Sequence, residues 1–324
     1  IKTIIPSTDG SVFALDGTNK PFVNNGSTAL LTGAFGETSA VPVPLFFNTS
    51  GTIVTMPSLQ NSSITPDDLR NKLVIATDEP GIEVYSLLDE DNDNFGDMVA
   101  SWSVQSPVSS PVLVSNFIIT GGDDGSINYF SGDGQVEFSS FIGNSRIIGL
   151  AGTAPSLNMI QLMAVSGSGE YFSLSGNTLQ QSGPTGITVP LLPLYSDLDS
   201  DGGNDFVVIG VDGEVFILND QSQVSKLEVT FNSSPVAGDI TGDGDRELVA
   251  VSRNKLYSFS HIGVLTSGFP VDLDFLDFSG TITTEQVLGD VTGNGKQEIL
   301  FGTSEGNVFA IDHKGIVVQG FPLP

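Results

Sequence analysis

Three features of the 324-residue sequence predict an all-β fold: abundant strand formers, frequent Gly turns, and a strand–turn–strand unit recurring at a period in the forties. The 21 Phe, together with many Val and Ile, favour strands, and 38 Gly and 17 Pro supply turns. The unit is an apolar strand, a tight turn ending in Gly, and an alternating strand that carries an aromatic. It reads Asp9-Gly10-Ser-Val-Phe, Asp124-Gly125-Ser-Ile-Asn-Tyr, Ser168-Gly169-Glu-Tyr-Phe, Asp212-Gly213-Glu-Val-Phe and Glu305-Gly306-Asn-Val-Phe, with Pro80-Gly81-Ile-Glu-Val-Tyr a further copy. Asn254-Lys-Leu-Tyr reads as the same unit with Asn in place of Gly, since Asn also tolerates positive φ. Gly81, Gly125, Gly169 and Gly213 are each 44 residues apart, and the next intervals, to 254 and to 306, are 41 and 52. Short strands at this period are the pattern of four-stranded blades. The expected architecture is a seven-bladed β-propeller of four-stranded antiparallel blades, with six or eight blades as the alternatives.

Within each blade the strands are read as a, b, c and d. Strand a precedes an acidic loop, as in Ser234-Pro-Val-Ala-Gly238, and strand b follows it, as in Glu247-Leu-Val-Ala-Val and Glu298-Ile-Leu-Phe-Gly. Strand c carries the aromatic. Strand d is placed on residues 263–270 and 315–322, two stretches 52 residues apart that both end Gly-Phe-Pro. The chain, 1–324, is read as a single domain. Gly10 and Gly81 are 71 residues apart, 27 beyond the 44-residue period, so 25–50 is an insertion or a degenerate blade. Ile1 to Ile5 starts as a strand b without its strand a, which marks the chain as a processed or excised piece. The chain stops straight after Phe321-Pro322, so one blade must be completed from elsewhere or left short. An open edge exposes main-chain donors and acceptors.

Charge narrows the function. The 38 acids against 11 bases give a net charge of −27, which repels phosphate backbones and argues against nucleic acid and anionic membranes as partners. No stretch approaches 18 uninterrupted apolar residues, so no membrane insertion is expected, and no secretory leader is visible. The absence of cysteine excludes disulfides, thiol catalysis and Cys-based zinc sites.

Part of the acid excess sits in three loops on the repeat register: Asp197-Leu-Asp199-Ser-Asp201-Gly202-Gly203-Asn-Asp205, Asp239-Ile-Thr241-Gly-Asp243-Gly244-Asp245-Arg-Glu247 and Asp290-Val-Thr292-Gly-Asn294-Gly295-Lys296-Gln-Glu298. Each first Asp lies 15 or 16 residues before its turn marker at 213, 254 or 306, between strands a and b. Calcium takes six to eight oxygens at about 2.3–2.6 Å. Side chains at positions 1, 3 and 5 of a curled loop can converge on one point, Gly at position 6 permits the bend, and position 7 offers a main-chain carbonyl. A carboxylate at position 9 closes the shell. Without a cation these carboxylates repel one another. The expected ligands are thus Asp197, Asp199, Asp201, Gly203 and Asp205; Asp239, Thr241, Asp243, Asp245 and Glu247; and Asp290, Thr292, Asn294, Lys296 and Glu298. The last loop carries less charge and is expected to bind more weakly. About three Ca2+ sites follow. A fourth acidic run, 89–97, lies where a c–d turn belongs and reads as a solvated turn. Ser109, Thr153 and Thr65 occupy the first-Asp register in other blades and offer no such set.

These loops resemble the FG-GAP or VCBS repeats of integrin-α-like propellers: Asp-x-Asp/Thr-x-Asp/Asn-Gly-x-x-Asp/Glu followed by a hydrophobic strand. The resemblance covers about 189–324 well and the middle blades through strand pattern alone. It implies a seven-bladed propeller with calcium in a–b loops on one face, and a secreted or cell-surface setting where adhesion or ligand binding is common. The Gly-Phe-Pro endings look like those of large secreted bacterial surface proteins. Some blades also resemble quinoprotein-type repeats, with Trp102 at the strand d position, but Trp102 is the one tryptophan present.

Catalytic signatures are missing. The two histidines, His261 and His313, each stand two residues before a Gly (Gly263, Gly315) in equivalent c–d turns, and no nucleophile elbow, zincin helix or phosphate loop occurs. The reading is a non-catalytic, calcium-binding extracellular propeller for adhesion, ligand binding or scaffolding, with a protein or glycan ligand at the cell surface. The alternatives are a calcium-dependent polysaccharide-active enzyme, or a structural subunit of an extracellular assembly with a strand-completing partner or neighbouring domain.

Overall fold

The computed structural model describes most of the chain from Asp97 to Leu323 and, before that, residues 3–6, 12–15, 58–59, 72–77 and 81–86. Inside the longer stretch, 105–108, 110, 116, 133, 157–158, 219–222, 227–228 and 276–279 lie outside the description. So do 25–50, most of the acidic run 89–97, Thr65 and the Asp9-Gly10 turn. Among the described residues every regular element is a strand except a 3-10 turn at Leu273–Phe275.

The strands pair in chain order as antiparallel meanders. A two-stranded sheet holds β1 (Thr3–Pro6) and β2 (Val12–Leu15). Four-stranded sheets follow. One holds β3 (Ser58–Leu59), β4 (Lys72–Ala76), β5 (Gly81–Ser86) and β6 (Met98–Ser103). The next holds β7 (Val112–Val114), β8 (Phe117–Gly121), β9 (Ser126–Phe130) and β10 (Val136–Phe141). The third holds β11 (Ile147–Ser156), β12 (Met159–Ser166), β13 (Glu170–Ser175) and β14 (Thr178–Pro184). The fourth holds β15 (Leu194–Ser196), β16 (Asp205–Ile209), β17 (Glu214–Leu218) and β18 (Gln223–Lys226). The fifth holds β19 (Val236–Gly238), β20 (Glu247–Ser252), β21 (Lys255–Phe259) and β22 (Val271–Asp272). The last holds β23 (Val287–Gly289), β24 (Glu298–Gly302) and β25 (Val308–Ile311).

The chain divides into two compact units: Ile1–Ser7 with Phe13–Phe22 and Leu194–Pro324, and Thr8–Val12 with Val23–Pro193. In each unit the second strand of a sheet reads as an apolar run because both its faces are covered. β16 and β20 are buried throughout, whereas the fourth strands β6, β10 and β14 are mostly exposed. In the unit containing β3–β14, Val74, Ile82 and Val84 pack against Leu113, Ile118 and Phe130, and a second core joins Ile119, Ile127 and Tyr129 to Ile147, Leu162 and Phe172. In the unit containing β15–β25, Val249, Val251, Leu256 and Val271 pack against Ile299, Phe301 and Ile311. Each such large apolar side chain contributes about 1.5–3 kcal/mol by leaving water.

The turn glycines do what their spacing implies. Gly125, Gly169, Gly213 and Gly306 have φ of 84°, 79°, 88° and 81°, and each donates its N–H to the carbonyl three residues earlier (Gly122, Ser166, Gly210, Thr303) at 3.0–3.3 Å. A Cβ on Gly169 would sit 2.0 Å from the Ile187 carbonyl oxygen, so the position admits no side chain. The turn at 253–254 is different. Ser252 pairs directly with Lys255, which makes a two-residue hairpin, and the residue with positive φ is Arg253 (56°), not Asn254. The turn is one residue shorter than the one at 211–213 and so accounts for one of the three residues by which the 41-residue interval falls short of 44.

Two further expectations are corrected. Strand d of the fifth sheet is not 263–270 but β22, after the Gly-Phe-Pro; 264–266 contributes one bridge, Leu265 to Phe259. Pro270 cannot donate to a ladder, so pairing resumes only beyond it. In the last sheet Leu323, which stands 52 residues after Val271, exchanges both main-chain bonds with Val308 at 2.8 Å. The C-terminal blade therefore takes its fourth position from its own chain. The first-Asp register also fails in β7–β8 and β11–β12. Val114 pairs with Phe117 and Ser156 with Met159, so tight hairpins leave no room for a nine-residue loop.

Candidate metal centres

Each of the three acidic loops joins the first strand of its sheet to the second: β15 to β16, β19 to β20, and β23 to β24. The last residue of each loop is the first residue of a buried strand, so Asp205, Glu247 and Glu298 are buried while the loop tips are exposed.

One hydrogen-bond frame recurs. The carboxylate at position 9 accepts the N–H of position 2: Asp205 from Leu198 (3.0 Å), Glu247 from Ile240 (3.1 Å), Glu298 from Val291 (2.8 Å). The carboxylate at position 1 accepts the N–H of the position 6 residue: Asp197 from Gly202, Asp239 from Gly244, Asp290 from Gly295, at 3.1, 3.1 and 2.8 Å. The side-chain oxygen at position 5 accepts the N–H of position 7: Asp201 from Gly203, Asp243 from Asp245, Asn294 from Lys296, at 2.7, 3.1 and 2.7 Å. These N–H bonds curl each loop, and the loops differ in what the remaining side-chain oxygens do.

What those oxygens meet differs. In loop 197–205, carboxylate oxygens of Asp197, Asp199 and Asp205 lie within 4.8 Å of one another. Asp197 Oδ1 is buried and has no hydrogen-bond partner. Ligands at about 2.3–2.6 Å from a common ion are separated by no more than about 5 Å, so this set fits a hard divalent cation. In loop 239–247, Asp239 Oδ1 is taken by the N–H groups of Gly242 (2.5 Å) and Asp243 (3.2 Å), while Thr241 Oγ1 is buried and unpartnered. Burial raises the pKa of Glu247, and the nearby Asp243 and Asp239 charges push it the same way against the N–H bonds from Ile240 and Thr241. In loop 290–298, Asp290 Oδ1 is held by Gly293 and Asn294 N–H, and Glu298 Oε1 accepts from Thr292 Oγ1 (3.1 Å) and Asn294 Nδ2 (3.3 Å). That loop closes on itself with neutral donors.

Position 4, which the sequence reading passed over, decides part of this difference. It is Gly242 (φ 81°) and Gly293 (φ 73°) in the second and third loops but Ser200 (φ 58°) in the first, and Ser200 Oγ donates to the Gly244 carbonyl at 2.5 Å. The loops are tied in a row. Arg246 donates its N–H to the Leu198 carbonyl (2.8 Å) and its guanidinium to Ser196 Oγ (2.7 Å), and Lys296 Nζ donates to the Thr241 carbonyl (2.5 Å). His261 and His313 occupy matching turns closed by Gly263 N–H to Ser260 and Gly315 N–H to Asp312, as their spacing implies. His261 Nδ1 lies 3.7 Å from Asp245.

No family model matches the chain, and no curated protein matches it. Solved structures do. BamB from Moraxella catarrhalis superposes with a TM-score of 0.53 at 13% identity, covering 98% of this chain and 84% of that one. BBS1N, in its complex with ARL6DN, gives a TM-score of 0.58 at 14% identity over 82% of this chain and 85% of that one. A chain of the mitotic checkpoint complex gives 0.57 at 12% identity over 84% and 79%. With the consecutive four-stranded meanders, this likeness establishes a β-propeller fold.

Proposed function

We propose that this chain is a non-catalytic, calcium-binding propeller of the FG-GAP/VCBS kind, working outside the cytoplasm as a module that presents a surface to a protein or glycan ligand. The observation that carries the metal reading is that Asp197, Asp199 and Asp205 bring carboxylate oxygens within 4.8 Å of one another, while Asp197 Oδ1 is buried without a hydrogen-bond partner. Bound there, calcium would neutralise three facing carboxylates and fix the path between β15 and β16. Asp197, Asp199 and Asp205 would hold it, with Thr241 and Glu247 serving a second ion in the next loop. Millimolar extracellular calcium suits such exposed loops. A protein-binding role is supported by BBS1N, whose structure is a complex with ARL6DN, and by the neighbour drawn from the mitotic checkpoint complex. The placement of both histidines in matching turns favours a non-catalytic role.

The test is a calorimetric calcium titration with thermal melts. Chelation lowers the melting temperature by several degrees and calcium restores it, and Asp199→Ala with Asp201→Ala removes one bound equivalent. Identical melts of the chelated and calcium forms would overturn the reading.

A further inference from the structure

At the end of β20 away from its acidic loop, a cleft of about 750 Å³ opens beside the 253–254 turn, lined among others by Asp212, Asn232, Arg253, Lys255, Tyr257 and Ile282. The turn is built to hold Arg253 there. Where four other b–c turns use Gly at positive φ, this one places Arg253 at φ 56°, a conformation that side chains disfavour. The main chain around it is fixed on both sides: Arg253 N–H donates to Asn232 Oδ1 (2.7 Å), Asn254 Nδ2 donates to Asp274 Oδ1 (3.1 Å) and the Gly280 carbonyl (3.3 Å), and the Asn254 carbonyl accepts from Leu273 (3.0 Å).

The charges in the cleft are unequally used. Lys255 is paired with Asp272 at 2.9 Å. No hydrogen bond or ion pair among the described residues reaches the Arg253 guanidinium, which is exposed. The Tyr257 ring is set by stacking on Phe259 (centroids 5.8 Å apart, 11° between planes), and its hydroxyl takes no hydrogen bond among the described residues. In a chain with 38 acids and 11 bases, the Arg253 guanidinium stands at the mouth of the cleft with no partner among the described residues. Such a fork matches the two oxygens of a carboxylate. Asp212 and Asp274 on the same walls, and the net −27 of the chain, penalise a dianion more than a monoanion, which favours carboxylate over phosphate.

We propose that this cleft binds a ligand carboxylate, with Arg253 as its bidentate anchor and the Tyr257 hydroxyl as a second donor. The cleft shares no residue with the acidic loops, so the proposal is independent of the cation reading.

The experiment is a chemical-shift titration of the full chain in chelator, with two matched probe pairs. One is an acetylated tripeptide with a free C-terminal carboxylate against its amide; the other is a galactose trisaccharide ending in a single galacturonate against the neutral trigalactose. One acidic probe binds and its neutral partner binds about tenfold more weakly or not at all, and which acid binds tells a peptide source from a uronate source. Arg253→Gly, which suits the turn's φ, weakens that probe about tenfold or more without lowering the melting temperature, while Arg253→Lys restores only part of the affinity. Tyr257→Phe, which keeps the ring, weakens it a few-fold. Acidic probes that bind no better than their neutral partners, or unchanged affinity in both Arg253→Gly and Tyr257→Phe, would overturn the proposal.

Discussion

Loops 197–205 and 290–298 share a main-chain frame and part company in their side chains. Both curl by the same N–H bonds to positions 1, 5 and 9. The first then gathers three carboxylates and strands an oxygen of Asp197, whereas the third feeds Thr292 and Asn294 into Glu298 and leaves little for an ion to do. One loop frame thus leaves its carboxylates facing one another or closes them with internal hydrogen bonds, according to whether positions 3 and 5 bring charge or neutral donors. Loop 239–247 stands between them, with Thr at position 3 and a buried hydroxyl left open.

The largest effect follows from removing the closing acid of the self-contained loop. Glu298 is 1% exposed and accepts from Val291 N–H, Thr292 N–H, Thr292 Oγ1 and Asn294 Nδ2. Glu298→Ala strands these donors and costs about 3–5 kcal/mol in denaturant melts, equally with chelator and with calcium. Asp199→Ala behaves oppositely: in chelator it is within about 1 kcal/mol of the parent, because an exposed repulsive charge has gone, and its deficit emerges only in calcium.

A half-buried acid outside the acidic loops provides the next contrast. Glu285 accepts from the Ser234 N–H at 2.9 Å, and burial pushes its pKa from 4.5 up to about 7. Between those values the folded chain keeps a proton that the unfolded chain has released, so stability falls as pH rises through this window. Glu285→Gln is therefore more stable than the parent by about 2–3 kcal/mol at pH 8, and the gain disappears below about pH 4. Calcium leaves the difference unchanged, which separates burial from cation-relieved repulsion.

The smallest effect sharpens the comparison by conversion. Thr292→Asp with Asn294→Asp gives the third loop the first loop's carboxylates at positions 3 and 5, exchanges internal bonds for repulsion, and costs about 1–2 kcal/mol in chelator that calcium returns. Melts of the double variant with and without calcium check it; a deficit that calcium does not repair would mean that the frame, not the charge pattern, sets cation dependence.

The periodic glycines made the sheets legible, because a turn closed by an N–H bond to the carbonyl three residues earlier places its last residue at positive φ, which Gly adopts most readily, as at Gly125, Gly169, Gly213 and Gly306. The acidic loops were equally plain, and they do join first strands to second. Three things were hidden. Leu323 completing a ladder with Val308 depends on pairing across 15 residues that no local pattern announces. The turn at Arg253 looked like its neighbours, but one missing residue changed its type. The divergence of the three cradles turned on position 4 and on which way Thr292 and Asn294 point, and residue type alone does not specify those orientations.

The most direct measurement is an anomalous difference map from crystals grown in millimolar calcium. A peak enclosed by the carboxylates of Asp197, Asp199 and Asp205, stronger than any at 290–298, is the expected result. A map with no peak there, or with its sole peak at Glu298, would contradict the account.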